Sequence, residues 1–447
     1  MAESTIGRSE VPLTRRALSL LLPSALNLGM AQILAPALNA MLARTSDPDA
    51  AIGGFAVALG ISGLVALPQL RIQHLTLVFF EGPDSLRALR RFVGWFALLV
   101  TLLAVVVALT PLSGVVLERL FATDGALRDE AAISLVALLP FPALMVARMH
   151  LYGIALRAER PRIVWVGTAG GASGVLLGAA LLLVGGVDGA LVAAVAVTGG
   201  TTLEVVALLL ATAEIREAPG GDAAATATQQ ALMRFFTPLL FAAFLPAVST
   251  PLIMATVARS PESEVSLAAF PLAMSTFTFL TLVAGGVQPT VLSLLGRGAD
   301  AGTIGRFAVC VGFVGMIGGV LVAWVPPLTA LVVEDLLGTS GRLAELTTMG
   351  LRLLSFLPPL LTVEQLYAAA LLQTKRTRAL VWVNVWRLVG LIAFVVLVPL
   401  STNWSGAAIG AGAVSFTLTL EAVFAWVYGR SAFAELRARS RSAGSVG

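Results

Sequence analysis

Charge is what this sequence has least of. Of its 447 residues only 12% are Asp, Glu, Lys or Arg, against 57% hydrophobic, and mean hydropathy is +0.92. A water-soluble domain needs a charged surface, so that balance excludes one. There is one cysteine, Cys310, which rules out an internal disulfide and any cysteine-rich metal site. There are two histidines, His74 and His150, and no His/Glu grouping has metal-ligand spacing. No metal and no cofactor are therefore expected. No G-x-x-x-x-G-K-[ST] stretch occurs, and no Ser–His–Asp set can be assembled, so neither ATP hydrolysis nor another enzyme activity is expected. The net charge of +4 calls for no nucleic-acid partner, because the basic residues flank apolar runs.

What is there is apolar length. Continuous runs of about 20 residues recur, enough to cross a bilayer as helix and unlike the alternation of a barrel strand. Twelve spans are predicted, at about 14–43, 52–80, 92–112, 130–157, 163–184, 189–211, 232–257, 266–294, 304–325, 343–373, 379–400 and 406–428. Short amphipathic pieces follow the third and ninth spans, at "LSGVVLERLF" and "LTALVVEDLL". The first run is too long for a signal peptide and carries Asn and Pro, so it reads as an uncleaved span. Of the 29 basic residues, 20 lie at the termini and in the even-to-odd loops and five in the opposite loops. By the positive-inside rule both termini are cytoplasmic. All basic residues but Lys375 are Arg, which with the Ala and Gly content points to a GC-rich bacterial genome and hence to the inner (plasma) membrane. The bilayer is then the chain's constant partner, and a monomer is expected.

The two halves repeat. "GALVAAVAVTGGTTLEVV" from Gly189 aligns without gaps on "GAAIGAGAVSFTLTLEAV" from Gly406, and places Glu204 over Glu421. Upstream, an offset of 215 pairs Pro23 with Pro238, Pro36 with Pro251, Phe141 with Phe356 and Tyr152 with Tyr367. The expected fold is all-α: twelve transmembrane helices in two parallel six-helix repeats around a central cleft. The segments are a first bundle at 1–211, a cytoplasmic linker at 212–231, a second bundle at 232–428 and a basic tail at 429–447, read as disordered. Parallel repeats are common in transporters whose substrate site lies between the halves. Pro23, Pro36, Pro238 and Pro251 each remove a backbone hydrogen bond and are candidate hinges. "GTAGGASGVLLG", 167–178, carries glycines at small-xxx-small spacing, a close-packing helix face.

Charges inside the spans are few: Arg71, His74, Arg148, His150, Glu204, Arg352, Glu364, Arg387 and Glu421. Each Arg or acid at mid-helix costs about 2.5–3.5 kcal/mol on insertion scales, so each is expected to face a cavity or another charge. Helix rise puts Arg387 and Glu421 at similar depths in adjacent spans, a natural ion pair. Glu204 has no basic counterpart in the fifth span, so its candidate partners are Arg148 and His150. Arg148, His150, Glu204, Glu364, Arg387 and Glu421 read as structural ion pairs or coupling groups, the coupling ion being a proton or sodium. Arg71 and His74 lie one turn apart on one face, with no acid near in sequence. Four Arg against three Glu leaves a positive excess, which favours an anion.

At "LRLLSFLPPLLTV", 351–363, the sequence resembles the progressive ankylosis family of membrane transporters. The likeness runs on through "QTKRT", "RLVGLIAFVVLVP" and "GAAIGAG" to Glu421, and touches "PSALNLGMAQILAPALN" and "LTLVFF" in the first half. It carries over Asn39, Arg352, Ser355, Arg387 and Glu421, but not Gln32, Arg71, His74 or Glu364. It implies the multidrug/oligosaccharidyl-lipid/polysaccharide exporter fold and export of small polyanions such as citrate, nucleotides or pyrophosphate. Charges and resemblance together give a candidate substrate set of Asn39, Arg71, His74 and Arg352. The leading expectation is a secondary exporter of small organic or phosphate-containing anions. A flippase or multidrug-type exporter of lipid-linked or amphipathic substrates is the alternative.

Overall fold

A computed structural model of the chain describes residues 13–120, 125–217 and 228–444, and those residues are helical almost throughout. Of the segments expected from sequence, 1–12, 218–227 and 445–447 lie outside the described residues, as do the side chains of Asn27 and Gln32. The first span is α1 (Leu13–Leu42), whose 30 residues rise about 45 Å. Asp47 caps α2 (Pro48–Ala66) by accepting from the Ala50 amide at 3.2 Å, and α3 (Gln69–Phe79) completes the second span. The third span, α4 (Pro83–Leu109), begins nine residues earlier than the apolar run, because Gly82 and Ser85 cap it and Pro83 opens it. Then come α5 (Leu112–Val115) and a π-helical turn at Val116–Leu120, where the amphipathic piece was expected. The fourth span is α6 (Gly125–Ala137) with α7 (Phe141–Arg157). The half ends with α8 (Pro161–Val184), α9 (Leu191–Ala211) and the short α10 (Ala213–Glu217), which lies in the expected linker.

The second half follows the same order. It runs α11 (Gln229–Val257), then α12 (Ser263–Leu280), α13 (Leu282–Gly285) and α14 (Val287–Leu295) as the eighth span, then α15 (Ala301–Trp324). A piece of α16 (Pro326–Thr329) and a second π-helical turn, Ala330–Leu336, matches the first-half device. It closes with α17 (Gly341–Leu354), α18 (Pro358–Gln373), α19 (Thr377–Ser401) and α20 (Gly406–Gly444). The expected disordered tail is helical through Gly444. There Glu435 ties α20 to Arg376 at 2.9 Å and bonds Arg439 one turn on.

Among the described residues nine helical stretches are long and apolar enough to cross a bilayer, and eleven when two bent pairs each count as one span. With α1 the spans number twelve, six per half. The four expected hinge prolines sit inside α1 and α11, which run unbroken. Bends of 46° and 44° lie between α6 and α7 and between α17 and α18. Both lie at matching points of the repeat, where Pro140-Phe141-Pro142 and Leu357-Pro358-Pro359 withhold amides from the helix.

Among the described residues five apolar clusters hold the structure, and their membership locates the seam. The largest joins both halves, with Leu20, Leu75 and Phe79 against Phe235, Val291 and Leu295. The other four each stay within one half. The shared cluster lies toward the ends that carry Arg15, Arg157, Arg297 and Lys375. The halves are therefore packed together at the arginine-rich end and form separate cores at the other. The glycine face of α8 meets α9 as its spacing required: a Cβ on Gly171 would lie 2.6 Å from Glu204 Oε2, and one on Gly174 would lie 3.0 Å from the Leu203 side chain.

Candidate functional site

A cavity of about 360 Å³ lies between the halves, a volume typical of small-ligand sites. From the first half come Ser24 of α1, Arg71, Gln73 and His74 of α3, and Tyr152 of α7. From the second come Gln288 of α14, Glu364 of α18, Asn384 and Arg387 of α19, and Glu421 of α20. A close helix crossing sets the first-half wall. Gly153 of α7 touches α3 so closely that a Cβ there would lie 2.6 Å from the Thr76 Cβ, and this fixes α3 with Arg71 one turn before. Proline loops set the depth of the second-half wall, because Pro358 and Pro359 start α18 two turns before Glu364 faces the cavity.

The ion pairs sort the charges. Arg387 Nη1 lies 3.3 Å from Glu421 Oε2, the pair expected from depth. Glu204 finds Arg148 rather than His150, at 3.0 Å, with Glu204 buried and Arg148 largely so. Tyr152 completes that cluster: its hydroxyl bonds Glu204, lies 2.6 Å from Thr168 Oγ1 and accepts from Arg148 Nη2 at 3.2 Å. His150 turns away, its Nδ1 2.8 Å from Thr76 Oγ1. Thr76 already donates to the Ile72 carbonyl, so His150 Nδ1 is the donor. Arg71 and Glu364 have no ion pair or side-chain hydrogen bond among the described residues, although both line the cavity together with Arg387 and Glu421. His74 is 5% exposed, and its Nδ1 finds no partner among them either, nor does Arg387 Nε.

Two members of the expected substrate set lie elsewhere. Arg352 is exposed on α17, where its Nε donates to the Ala323 carbonyl at 3.2 Å and its guanidinium sits 5.1 Å from the Trp324 ring centroid. Ser355 belongs to the same cluster, accepting from Trp324 Nε1 at 3.3 Å. Asn39 is exposed near the end of α1. The charge balance changes accordingly. Arg352 carried the excess, and Arg148 with Glu204 cancel, so the cavity holds two arginines against two glutamates. Sequence reading missed Tyr152, Gln288 and Asn384. Tyr152 stands four residues after Arg148 and pairs with Tyr367 in the repeat, and those were the available signals. No group of three or more His, Cys, Asp or Glu is placed to hold a metal among the described residues.

At the arginine-rich end the seam between halves is polar as well as apolar. Arg297, just after α14, reaches Glu159 of the α7–α8 turn at 3.5 Å. The same guanidinium donates to the Arg157 carbonyl at 2.8 Å. Ser293 donates to the Leu156 carbonyl at 2.7 Å, and Lys375 sits 4.5 Å from the centroid of the Phe79 ring. Glu159 and Lys375 occupy corresponding turns in the two halves and share a left-handed backbone, φ 54° and 58°.

The arrangement has close structural counterparts. A multidrug resistance MATE family transporter of the MOP superfamily, in an outward-facing conformation, superposes with TM-score 0.75 at 14% identity, covering 98% of this chain and 100% of that one. The fold is that of the MATE transporters. The Vibrio cholerae MATE transporter VcmN in its bent form matches with TM-score 0.76 and 14% identity, over 96% of this chain and 98% of that one. A MOP superfamily transporter from Pyrococcus furiosus, for which a binding pocket of reverse polarity suggests a different function, matches with TM-score 0.75 and 13% identity, over 95% and 97%. No protein-family model and no curated protein matches the chain. At these identities the likeness shows the fold: twelve membrane helices in two repeats.

Proposed function

We propose that this chain is a secondary transporter, related to the progressive ankylosis group, that exports small organic or phosphate-containing anions of the citrate, pyrophosphate or nucleotide class. The two bundles, 1–211 and 232–428, rock about the seam, and the cavity between them takes the substrate. The observation that carries the reading is the cavity itself, walled by both halves and holding Arg71 with no ion-pair partner among the described residues. A guanidinium without an ion pair that lines this cavity is poised for a bidentate carboxylate or phosphate. His74 Nδ1 and Arg387 Nε are further buried nitrogens open to a ligand. Glu364 is the candidate coupling carboxylate. With the arginine-rich end on the cytoplasmic side, the packed seam makes this the outward-facing state, with Arg297–Glu159 as part of the inner closure.

A second reading has its own observation. The cavity is charge-balanced, and Glu364 stands as free of an ion pair as Arg71. That suits an amphipathic or cationic substrate of the multidrug type. Equilibrium binding separates the two: citrate, pyrophosphate and a lipophilic cation, each against the intact protein and against Arg71→Ala. Losing one charged hydrogen-bonding group is worth about 1.5–3 kcal/mol, or about 10- to 150-fold in Kd. Anion binding that weakens by that factor in Arg71→Ala supports the anion reading. Binding of the cation alone, indifferent to Arg71, overturns it.

A further inference from the structure

Outside the central cavity, at the arginine-rich end of the second half, lies an open pocket of about 860 Å³. Two helix stripes face each other across it. On α15 the stripe is Arg306 and Cys310; on α20 it is Phe433, Arg437 and Arg441, each set spaced by four residues and so on one face. Phe433 packs edge-on against Tyr367 at 5.6 Å, which closes the floor. Arg306, Arg437 and Arg441 have no ion pair among the described residues. Arg439 of the same helix does, turned to Glu435 on the other face. The acid that lines the pocket, Asp300, is committed: it caps α15 by accepting from the Thr303 amide and hydroxyl, each at 2.7 Å. These bonds, the hydroxyl first and then the amide, hold its carboxyl below the usual Asp value, so it remains a satisfied anion. Arg306 also donates to Thr303 Oγ1 at 3.3 Å and sits in the field of Asp300, so the pocket presents three guanidiniums against one carboxylate.

Beyond Cys310 the same face of α15 continues as Phe313, Val314 and Ile317, which are 49%, 69% and 56% exposed. On a membrane-spanning helix such a strip meets acyl chains. A basic pocket that runs directly into a lipid-facing apolar strip has the chemistry of a phospholipid: phosphate above, hydrocarbon below. We propose that this pocket binds the headgroup of an anionic phospholipid through Arg306, Arg437 and Arg441, with its acyl chains along α15. A soluble phosphate would use the arginines but not the strip.

The chain's single cysteine, Cys310, is exposed in this pocket and reports on it directly. The experiment measures its alkylation by a small uncharged maleimide, with the full chain in nanodiscs of phosphatidylcholine, of phosphatidylcholine plus phosphatidylglycerol, or of phosphatidylcholine plus inorganic phosphate. Phosphatidylglycerol is expected to slow alkylation about threefold or more, an effect lost in Arg437→Gln/Arg441→Gln. Native mass spectrometry of the same variant, after detergent extraction, is expected to show fewer retained phosphatidylglycerol molecules than wild type. Equal rates in the two lipids overturn the proposal. So does equal slowing by inorganic phosphate, which would make the site one for a soluble anion. Protection that persists undiminished in the double variant overturns the assignment to these arginines.

Discussion

Replacing Glu204 by Gln should destabilise the protein more than the matching change at Glu421. Glu204 and Arg148 are 3.0 Å apart, with side chains 6% and 16% exposed, and Tyr152 donates into the same carboxylate. The Gln removes the charge and leaves the Arg148 guanidinium buried without its carboxylate. Breaking a buried pair from one side costs about 3–5 kcal/mol. Unfolding entropy of about 2.1 cal/mol/K per residue gives roughly 0.9 kcal/mol/K for a chain of this length, so the shift in Tm is about 3–5 °C. Glu421 and Arg387 line the cavity and are 13% and 22% exposed, so water can take up part of the loss, and about half that shift is expected. The assay is tryptophan-fluorescence unfolding in detergent at one fixed scan rate. Combining Glu204→Gln with Arg148→Met should restore part of the loss, because no charge is then stranded. A Glu204→Gln variant within about 1 °C of wild type would refute the argument that this pair is a buried structural tie.

Two other outcomes follow from the packing. Gly171→Ala should lower Tm, since its Cβ would collide with Glu204, whereas Gly170→Ala, with nothing within 4 Å, should be neutral or slightly stabilising in the same assay. Ser293 is fully buried at the seam, so a thiol placed there in a Cys310→Ser background should resist alkylation, and Arg297→Ala should raise its rate about threefold or more by loosening the link to Glu159. An unchanged rate would show that Arg297 does not help close that end.

The fold was legible because it rests on two coarse signals, apolar length and the offset repeat, and neither depends on side-chain detail. The third span shows where that coarseness fails. Its first nine residues include Arg87, Arg90 and Arg91, so hydropathy began it late, whereas Gly82, Pro83 and Ser85 set the start. Arg387–Glu421 was legible because depth along two adjacent helices is a one-dimensional estimate. The destination of Arg352 was not, because depth says nothing about azimuth. Arg352 sits over the Trp324 ring of α15 and is not among the residues that line the cavity, a rotation set by helix packing. The same blindness explains the charge count. Summing charges within the spans gave a positive excess, but the excess lay on Arg352, which does not line the cavity.

The proposed transport is tested most directly by flux. Proteoliposomes preloaded in separate batches with labelled citrate, labelled pyrophosphate or a lipophilic cation would be followed for release, with wild type, with Arg71→Ala and without protein. Faster release of an anion by wild type, falling to the protein-free rate in Arg71→Ala while the variant keeps its thermal stability, is the expected result. Release of the cation alone, or anion release unchanged in Arg71→Ala, would contradict an anion carried through this cavity.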